Sequence, residues 1–373
     1  MSTLAPLDAS KLQITKTTTP SELLPKESLV FGKSFTDHIL EVEWTKEKGW
    51  GTPTITPYHN LSLDPATSCL HYSFELFEGM KAYRDSQGKI RTFRGDKNME
   101  RMNRSAKRAS LPTFDGEEFM KLLDQFLLVE ERFVPTGYGY SLYLRPTLIG
   151  TNVGLGVSAP DKALLYLIAS PVGPYFSAGF KPVSLEATDY AVRAWPKGVG
   201  AYKLGANYVS CIEPQMKAAA RGHSQNLWLF GEEGHITEVG AMNVFFAFEN
   251  EDGTKELVTP PLDGMILPGV TRDSTLELAR SKLDPKKWSV NERKLTIHEV
   301  NERAKKGQLL EAFGTGTAAI VSPINNIEFN NEHIKVPVVV DGTSGELALE
   351  ISEWIKGIQY GTESFKDWSR VAQ

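Results

Sequence analysis

The sequence predicts an α/β protein of two domains. Three observations lead there. A chain of 373 residues exceeds what one hydrophobic core usually serves. Strand-like and helical periods alternate from residue 29 onward. A run of prolines and glycines, "SPVGPYFSAGFKP" (170–182), interrupts the alternation near the middle.

Taken in order, residues 1–28 are rich in Ser, Thr, Pro and Lys and read as an irregular arm. A smaller α/β domain is expected over 29–172, a connection over 173–183 and a larger domain over 184–373. "KNMERMNRSAKRA" (97–109) places Met99, Met102 and Ala106 on one helical face. "YGYSLYLRPTLIG" (138–150) reads as a strand whose alternation puts Tyr143 and Arg145 on one side. "ALLYLIASPVGPYF" supplies another buried strand. Beyond the connection, "NLWLF" is a strand, "GEEGH" a turn, and within "ITEVGAMNVFFAF" Glu238 begins the apolar strand "VGAMNVFFAF". "TRDSTLELARSKL" is an amphipathic helix entered from a glycine.

The formal net charge of −5, with both signs mixed, argues against a nucleic-acid coat or a polybasic membrane anchor and suits an enzyme of small molecules. The two cysteines, Cys69 and Cys211, form no CxxC or ligand cluster, so neither a disulfide framework nor a zinc site is indicated. No apolar run approaches the ~20 residues of a membrane helix. Residues 1–83 contain no arginine, which speaks against an Arg-rich presequence. A cytosolic chain is the simplest reading, with the mitochondrial matrix the alternative if a presequence has been removed.

Several groups could carry chemistry. In "AYKLGANY" (201–208), Lys203 has apolar company and a Leu-Gly turn; on this stretch alone it reads first as a loop lysine laid along its neighbours. In "LPGVTRDSTLELA" (267–279) a glycine opens a helix, so the amides of Val270 and Thr271 could face a phosphate, unless Thr271 or Asp273 merely caps the helix. "EAFGTGTAAIVSP" (311–323) offers a second turn with the Thr315 and Thr317 hydroxyls, and lacks the Gly-Lys-Ser/Thr of a Walker loop. Arg101 could grip phosphate bidentately, whereas Arg94, Lys97, Arg104, Lys107 and Arg108 read mostly as a solvated face. A buried Glu238 needs a cationic partner, and a protonated pyridine nitrogen would be one. Pyridoxal 5′-phosphate makes this set explicable together.

With those residues stands "HYSFELFEGMKAYR" (71–84), together with "NMERMNRSA", "YLRPTLIG", "RAWPKGVGAYKLGANY", "ITEVGAMN" and "GVTRDS". Together they resemble the branched-chain amino-acid aminotransferases, fold type IV of the pyridoxal-phosphate enzymes, from about residue 30 onward. "APLDASKLQIT" and "NLSLDP" resemble the fungal members. The resemblance implies two domains with the cofactor site between them, a homodimer, and ping-pong amino transfer between leucine, isoleucine or valine and 2-oxoglutarate. It implies that Lys203 forms the internal aldimine, Glu238 faces the pyridine nitrogen and Tyr208 bonds the cofactor's O3′. Arg101, Val270, Thr271 and Thr317 match the phosphate cradle. Tyr72, Phe77, Tyr143, Arg145 and Tyr175 match side chains around the substrate, with Thr317 and Ala318 at its α-carboxylate.

The chain departs from the family pattern at Ala241, where threonine is usual near the cofactor ring, and at Ala201, where aspartate is common. Ala319 and Ser322 stand where mammalian members carry a CxxC pair, so no thiol switch is expected there. A D-amino-acid aminotransferase or an aminodeoxychorismate lyase would use the same lysine and acid; the breadth of the match and "YLRPTLIG" favour the branched-chain enzyme. A non-catalytic binding module on the same fold would not need Lys203, Glu238 and Tyr208 intact.

Overall fold

In a computed structural model of the chain, the described residues are 4–174 and 181–373. They gather into two compact units, each with its own sheet and core. The first comprises Met1–Tyr175, Tyr202–Ala206 and Gly357–Gln373, and the second comprises Phe176–Ala201 and Asn207–Lys356.

In the first unit the strand Ser141–Gly150 pairs antiparallel with Lys162–Val172, from Ser141 opposite Val172 to Gly150 opposite Ala163. Its other edge carries Met80–Arg84 and Glu75–Phe77. Strand alternation sends Leu142, Leu144 and Leu148 to one face, where they bury completely. There they share a core with Met99, Met102 and Ala106 of the helix Gly95–Arg108 and with Phe119, Leu123 and Phe126 of the helix Gly116–Val129. Each such side chain contributes about 1.5–3 kcal/mol by leaving water. Tyr143 and Arg145 share the opposite face.

The helix and strand expectations hold with shifted ends. The strand starts at Ser141 because Gly137 and Gly139 adopt φ of +112° and +88°, a turn that no strand can include. The arm is more ordered than its composition suggests: Gln13–Ile14 pairs parallel with Thr54–Pro57, and Leu7 is buried. Two groups in the basic run are not solvated: Arg94 and Arg101 are buried, and the Arg94 guanidinium lies 4.0 Å from the Trp368 ring centroid.

The second unit is built on a mixed sheet in which Val183–Thr188 runs parallel to both Gln225–Phe230 and Ile320–Phe329. Leu309–Gly316 lies between Ile320–Phe329 and Asn243–Glu249. Leu227, Phe246, Phe248 and Ile324 fill its core. The expected turn between Phe230 and His235 is present and closes a hairpin. A second tight turn follows, in which Val239 bridges to Met242 around Gly240 at φ +53°. Glu238 therefore lies next to last in the strand His235–Val239 instead of beginning the next one, Asn243–Glu249.

Candidate active site

Lys203 is held at both ends of its peptide unit within the first unit. Its amide donates to Ser105 Oγ at 2.9 Å, and its carbonyl accepts from Phe77 N at 3.2 Å. Leu204 bridges to Leu76, and Gly205 N donates to Glu75 O, so the lysine segment is stitched along the edge of Glu75–Phe77. A Cβ at Gly205 would press on the end of the Glu75 side chain. The side chain runs to place Nζ 4.6 Å from the Phe77 ring centroid. Burial, helped by the nearby Arg101 charge, lowers the amine from an ordinary lysine value to about 8. A largely desolvated amine of that kind is a nucleophile and base near neutral pH.

The helix Gly95–Arg108 turns Asn98, Arg101 and Ser105 to one buried face, the i, i+3, i+7 spacing of a single stripe. Ser105 anchors Lys203, while Arg101 forms a two-pronged pair with the fully buried Glu78, Nε to Oε1 at 2.8 Å and Nη2 to Oε2 at 2.7 Å. Asn98 Nδ2 adds a third bond to Glu78 Oε2 at 2.8 Å.

Phe77, Tyr143 and Arg145 come together with Lys203. The Arg145 guanidinium lies 4.6 Å from the Phe77 ring centroid, and its Nη2 donates to Tyr143 Oη at 3.0 Å. Arg145 Nε is buried and has no hydrogen-bond partner among the described residues. Gly79 lets the chain pass the Tyr143 hydroxyl, which a Cβ would strike. Lys81 sits opposite Tyr143 in the ladder, and burial brings its amine down to about 8 as well. Phe31 packs edge-on against Tyr143, with centroids 4.8 Å apart. Tyr72 differs: it is 37% exposed on the helix Ser68–Tyr72, its hydroxyl donates to Leu155 O, and its ring lies against His71. None of these contacts is with the Lys203 group. Tyr175 lies outside the described residues.

In the second unit Glu238 is buried, accepts from Asn243 Nδ2 at 3.2 Å and meets Arg193 Nη1 at 2.5 Å. Asn243 also donates to Leu267 O at 2.9 Å, tying Glu238 to the chain that leads into the helix Val270–Lys282. That helix starts at Gly269, which has no side chain with which to cap its first turn. A Cβ at Gly269 would strike the Asn243 amide. Thr315 pairs with Asn243 across the sheet, and its buried hydroxyl has no hydrogen-bond partner among the described residues. Thr317 and Ala318 occupy the turn after Gly316, and Tyr208 is half-buried in the short helix Ala206–Val209. Ala241 is exposed within the Gly240 turn, and Ala319 and Ser322 place no thiol near the second turn.

The model of the class IV amino-transferases matches residues 75–327. The cytosolic branched-chain-amino-acid aminotransferase of Saccharomyces cerevisiae is 61% identical over 99% of this chain and 98% of its own. The chain belongs to the branched-chain-amino-acid aminotransferase family. The mitochondrial member from the same yeast is 60% identical over 100% of this chain and 95% of its own. The solved branched-chain amino acid aminotransferase of Escherichia coli shares the fold, with a TM-score of 0.70 at 24% identity over 90% of this chain and 100% of that one.

Class IV aminotransferases are pyridoxal-phosphate enzymes, and the residues of this branched-chain aminotransferase fit that cofactor. A half-buried lysine of lowered basicity, a helix entered from Gly269, an orphaned Thr315 hydroxyl and a buried carboxylate are the kinds of group an aldehyde, a phosphate and a ring nitrogen need. Four neighbours of these groups went unread in the sequence: Glu78, Ser105, Arg193 and Asn243. Only Ser105 had a local signal, because it extends the Asn98 and Arg101 stripe by one helical turn.

Proposed function

We propose that the chain catalyses reversible amino transfer between L-leucine, L-isoleucine or L-valine and 2-oxoglutarate. The half-buried Lys203, its backbone clipped between Ser105 and Phe77 and its amine over the Phe77 ring, is the observation that carries this reading. When bound, pyridoxal phosphate supplies an electrophilic carbon for the amino group and a ring that takes up the electron pair left as Cα loses its proton.

The chain's own residues do the rest. Lys203 would hold the cofactor, then act as the base that takes the Cα proton and returns it to the cofactor's C4′ carbon, on the far side of the amino nitrogen; a value near 8 leaves part of the amine neutral for that task. Glu238 would keep the ring nitrogen protonated, and Tyr208 would bond the ring hydroxyl. Arg101, the amides of Val270 and Thr271, and Thr317 would hold the phosphate. Phe77 and Tyr143 would cover aliphatic side chains, each buried methylene contributing about 0.8 kcal/mol. Arg145 would take the second carboxylate of glutamate or 2-oxoglutarate, and Thr317 and Ala318 would lie at the α-carboxylate. The two compact units are proposed as the two functional domains, with Tyr202–Ala206 and Gly357–Gln373 assigned to the first instead of to one unbroken span 184–373.

One pocket serving both half-reactions implies ping-pong kinetics. Parallel double-reciprocal lines are expected, and intersecting ones would refute the scheme. A homodimer is proposed because Leu70, Val153, Leu155 and Val157 form an exposed apolar group beside Tyr72, as a surface covered by a second copy would. Sedimentation at micromolar concentration tests it. For compartment we propose the cytosol, as for the yeast relative at 61% identity; imaging the tagged full-length chain decides between cytosol and mitochondrion.

The primary test is an absorbance spectrum with pyridoxal phosphate before and after L-leucine, beside Lys203→Ala. A band near the visible edge that leucine removes, and that the variant fails to form, is expected. A wild-type protein that stays spectrally silent with the cofactor would overturn the reading.

A further inference from the structure

We propose that Glu78 is a positioning residue that presents Arg101 to the cofactor's phosphate; this rests on the role given to Arg101 above. Glu78 is fully buried and its carboxylate is locked by groups that all belong to the first unit. It takes Arg101 Nε and Nη2, the Asn98 amide and, at 3.3 Å, the amide of Gly79. Its own backbone N donates to Pro146 O at 2.8 Å, which fixes the carboxylate to the strand Ser141–Gly150. The helix Gly95–Arg108 and the sheet thus meet through one carboxylate.

The consequence follows from the shape of a guanidinium. Arginine is planar with five N–H donors, and a carboxylate that engages the edge formed by Nε and Nη2 sets the plane of the whole group. A free arginine has many rotamers to lose when it binds an anion, so a neighbour that fixes it beforehand removes that cost. The same pair answers a charge problem. Arg101 and Lys203 are like charges in a dry place, and Glu78 acts on the Lys203 amine in the opposite sense to Arg101. Without Glu78, Arg101 would be both loose and repelled.

A mere brace between helix and sheet would also be buried and hydrogen-bonded, so the test must read the phosphate. Apoprotein is titrated with pyridoxal phosphate and with pyridoxal, which lacks the phosphate, and the ratio of the two affinities is compared across variants. Glu78→Gln is expected to lower that ratio by roughly tenfold or more, in line with outer partners of bound groups elsewhere, and to leave pyridoxal binding within about twofold. Arg101→Ala should lower the ratio at least as far, and the double variant no further than Arg101→Ala alone. Equal losses for both ligands in Glu78→Gln would reduce Glu78 to a brace and overturn the proposal. If Arg101→Ala leaves the ratio unchanged while the leucine-dependent spectrum persists, the phosphate role of Arg101 falls, and this proposal with it, but transamination stands. Should Glu78→Gln fail to fold, Asn98→Ala removes one of its donors; a several-fold drop in the same ratio supports the proposal and an unchanged ratio overturns it.

Discussion

Arg193 and Glu238 form a buried ion pair, Nη1 to Oε2 at 2.5 Å, with side chains 5% and 3% exposed. The contact is close without being aligned as a hydrogen bond at Oε2, and Asn243 supplies the directed bond at Oε1. Arg193 also lies near the carbonyls of Gly200 and Met265, each 3.4 Å from Nη1. A cation so placed favours the ionised carboxylate, which is the form that can hold a proton on a ring nitrogen.

Removing one partner would strand the other in a medium that cannot solvate it. Arg193→Met should therefore cost about 3–5 kcal/mol of stability, while adding Glu238→Gln should recover part of the loss because both charges are then gone. Urea unfolding of the apoproteins measures both. If the double variant is less stable than Arg193→Met by the full cost of a second independent lesion, the pair is not what holds these groups.

The Lys203 amine gives a pH dependence with a definite sign. Its value is about 8 in the folded chain against 10.5 for an ordinary lysine. Between those limits the unfolded chain keeps a proton that the folded chain has released, so stability rises with pH across the window and the penalty is complete below it. The gap corresponds to about 3 kcal/mol. Lys81 titrates in the same range, so the quantity to measure is the difference between apo wild type and Lys203→Met. The variant should be the more stable by about 3 kcal/mol near neutral pH, and this advantage should fade as pH approaches 10.5. An advantage that does not change with pH would show that Lys203 is not desolvated.

What the sequence reveals here depends on whether a feature is local. The helix Gly95–Arg108 and the strand Ser141–Gly150 each bury one face, so the apolar period survives in the text and only the glycine-controlled ends move. The turn after Glu238 is hidden because Val239, Ala241 and Met242 continue the apolar run, leaving Gly240 as its only mark. Pairing across the chain leaves no local trace: Glu78 finds Arg101, Glu238 finds Arg193, and the Lys203 segment finds Phe77 through sheet edges and helix faces that exist only after folding. Lys203 and Glu238 stand out in the sequence itself, resemblance supplies their roles and adds Tyr208, and their supporting neighbours require the fold.

Glu311 shows how a buried carboxylate can serve structure alone. Oε1 accepts from Leu347 N at 3.0 Å and Oε2 from Ala348 N at 2.9 Å, closing the start of the helix Glu346–Gln359. Burial holds its carboxyl above the usual range, opposed by those two amides. Glu311→Ala leaves two buried amides without their acceptor, so a loss of roughly 2–6 kcal/mol is expected, at about 1–3 for each orphaned group. Cofactor affinity per folded molecule should be unchanged. A stability loss below about 0.5 kcal/mol would mean that the helix start finds other acceptors.

Arg145 separates the two half-reactions. Its Nη2 is tied to Tyr143 Oη, its guanidinium lies over Phe77, and its buried Nε has no partner among the described residues. A buried donor of that kind is costly unless a ligand acceptor completes it. Glutamate and 2-oxoglutarate bring a second carboxylate, whereas leucine brings only methyl groups. A charge-assisted bond is worth about 1.5–3 kcal/mol, so Arg145→Ala should weaken the 2-oxoglutarate half-reaction by roughly 10- to 100-fold in kcat/KM. The leucine half-reaction should change by only about a few fold, since the apolar contacts of Phe77 and Tyr143 remain. Single-turnover absorbance with each substrate alone reads the two values separately. Equal losses in both would place Arg145 in the framework of the pocket and leave the second carboxylate to another cation, with Lys81, across the ladder from Tyr143, the next to replace.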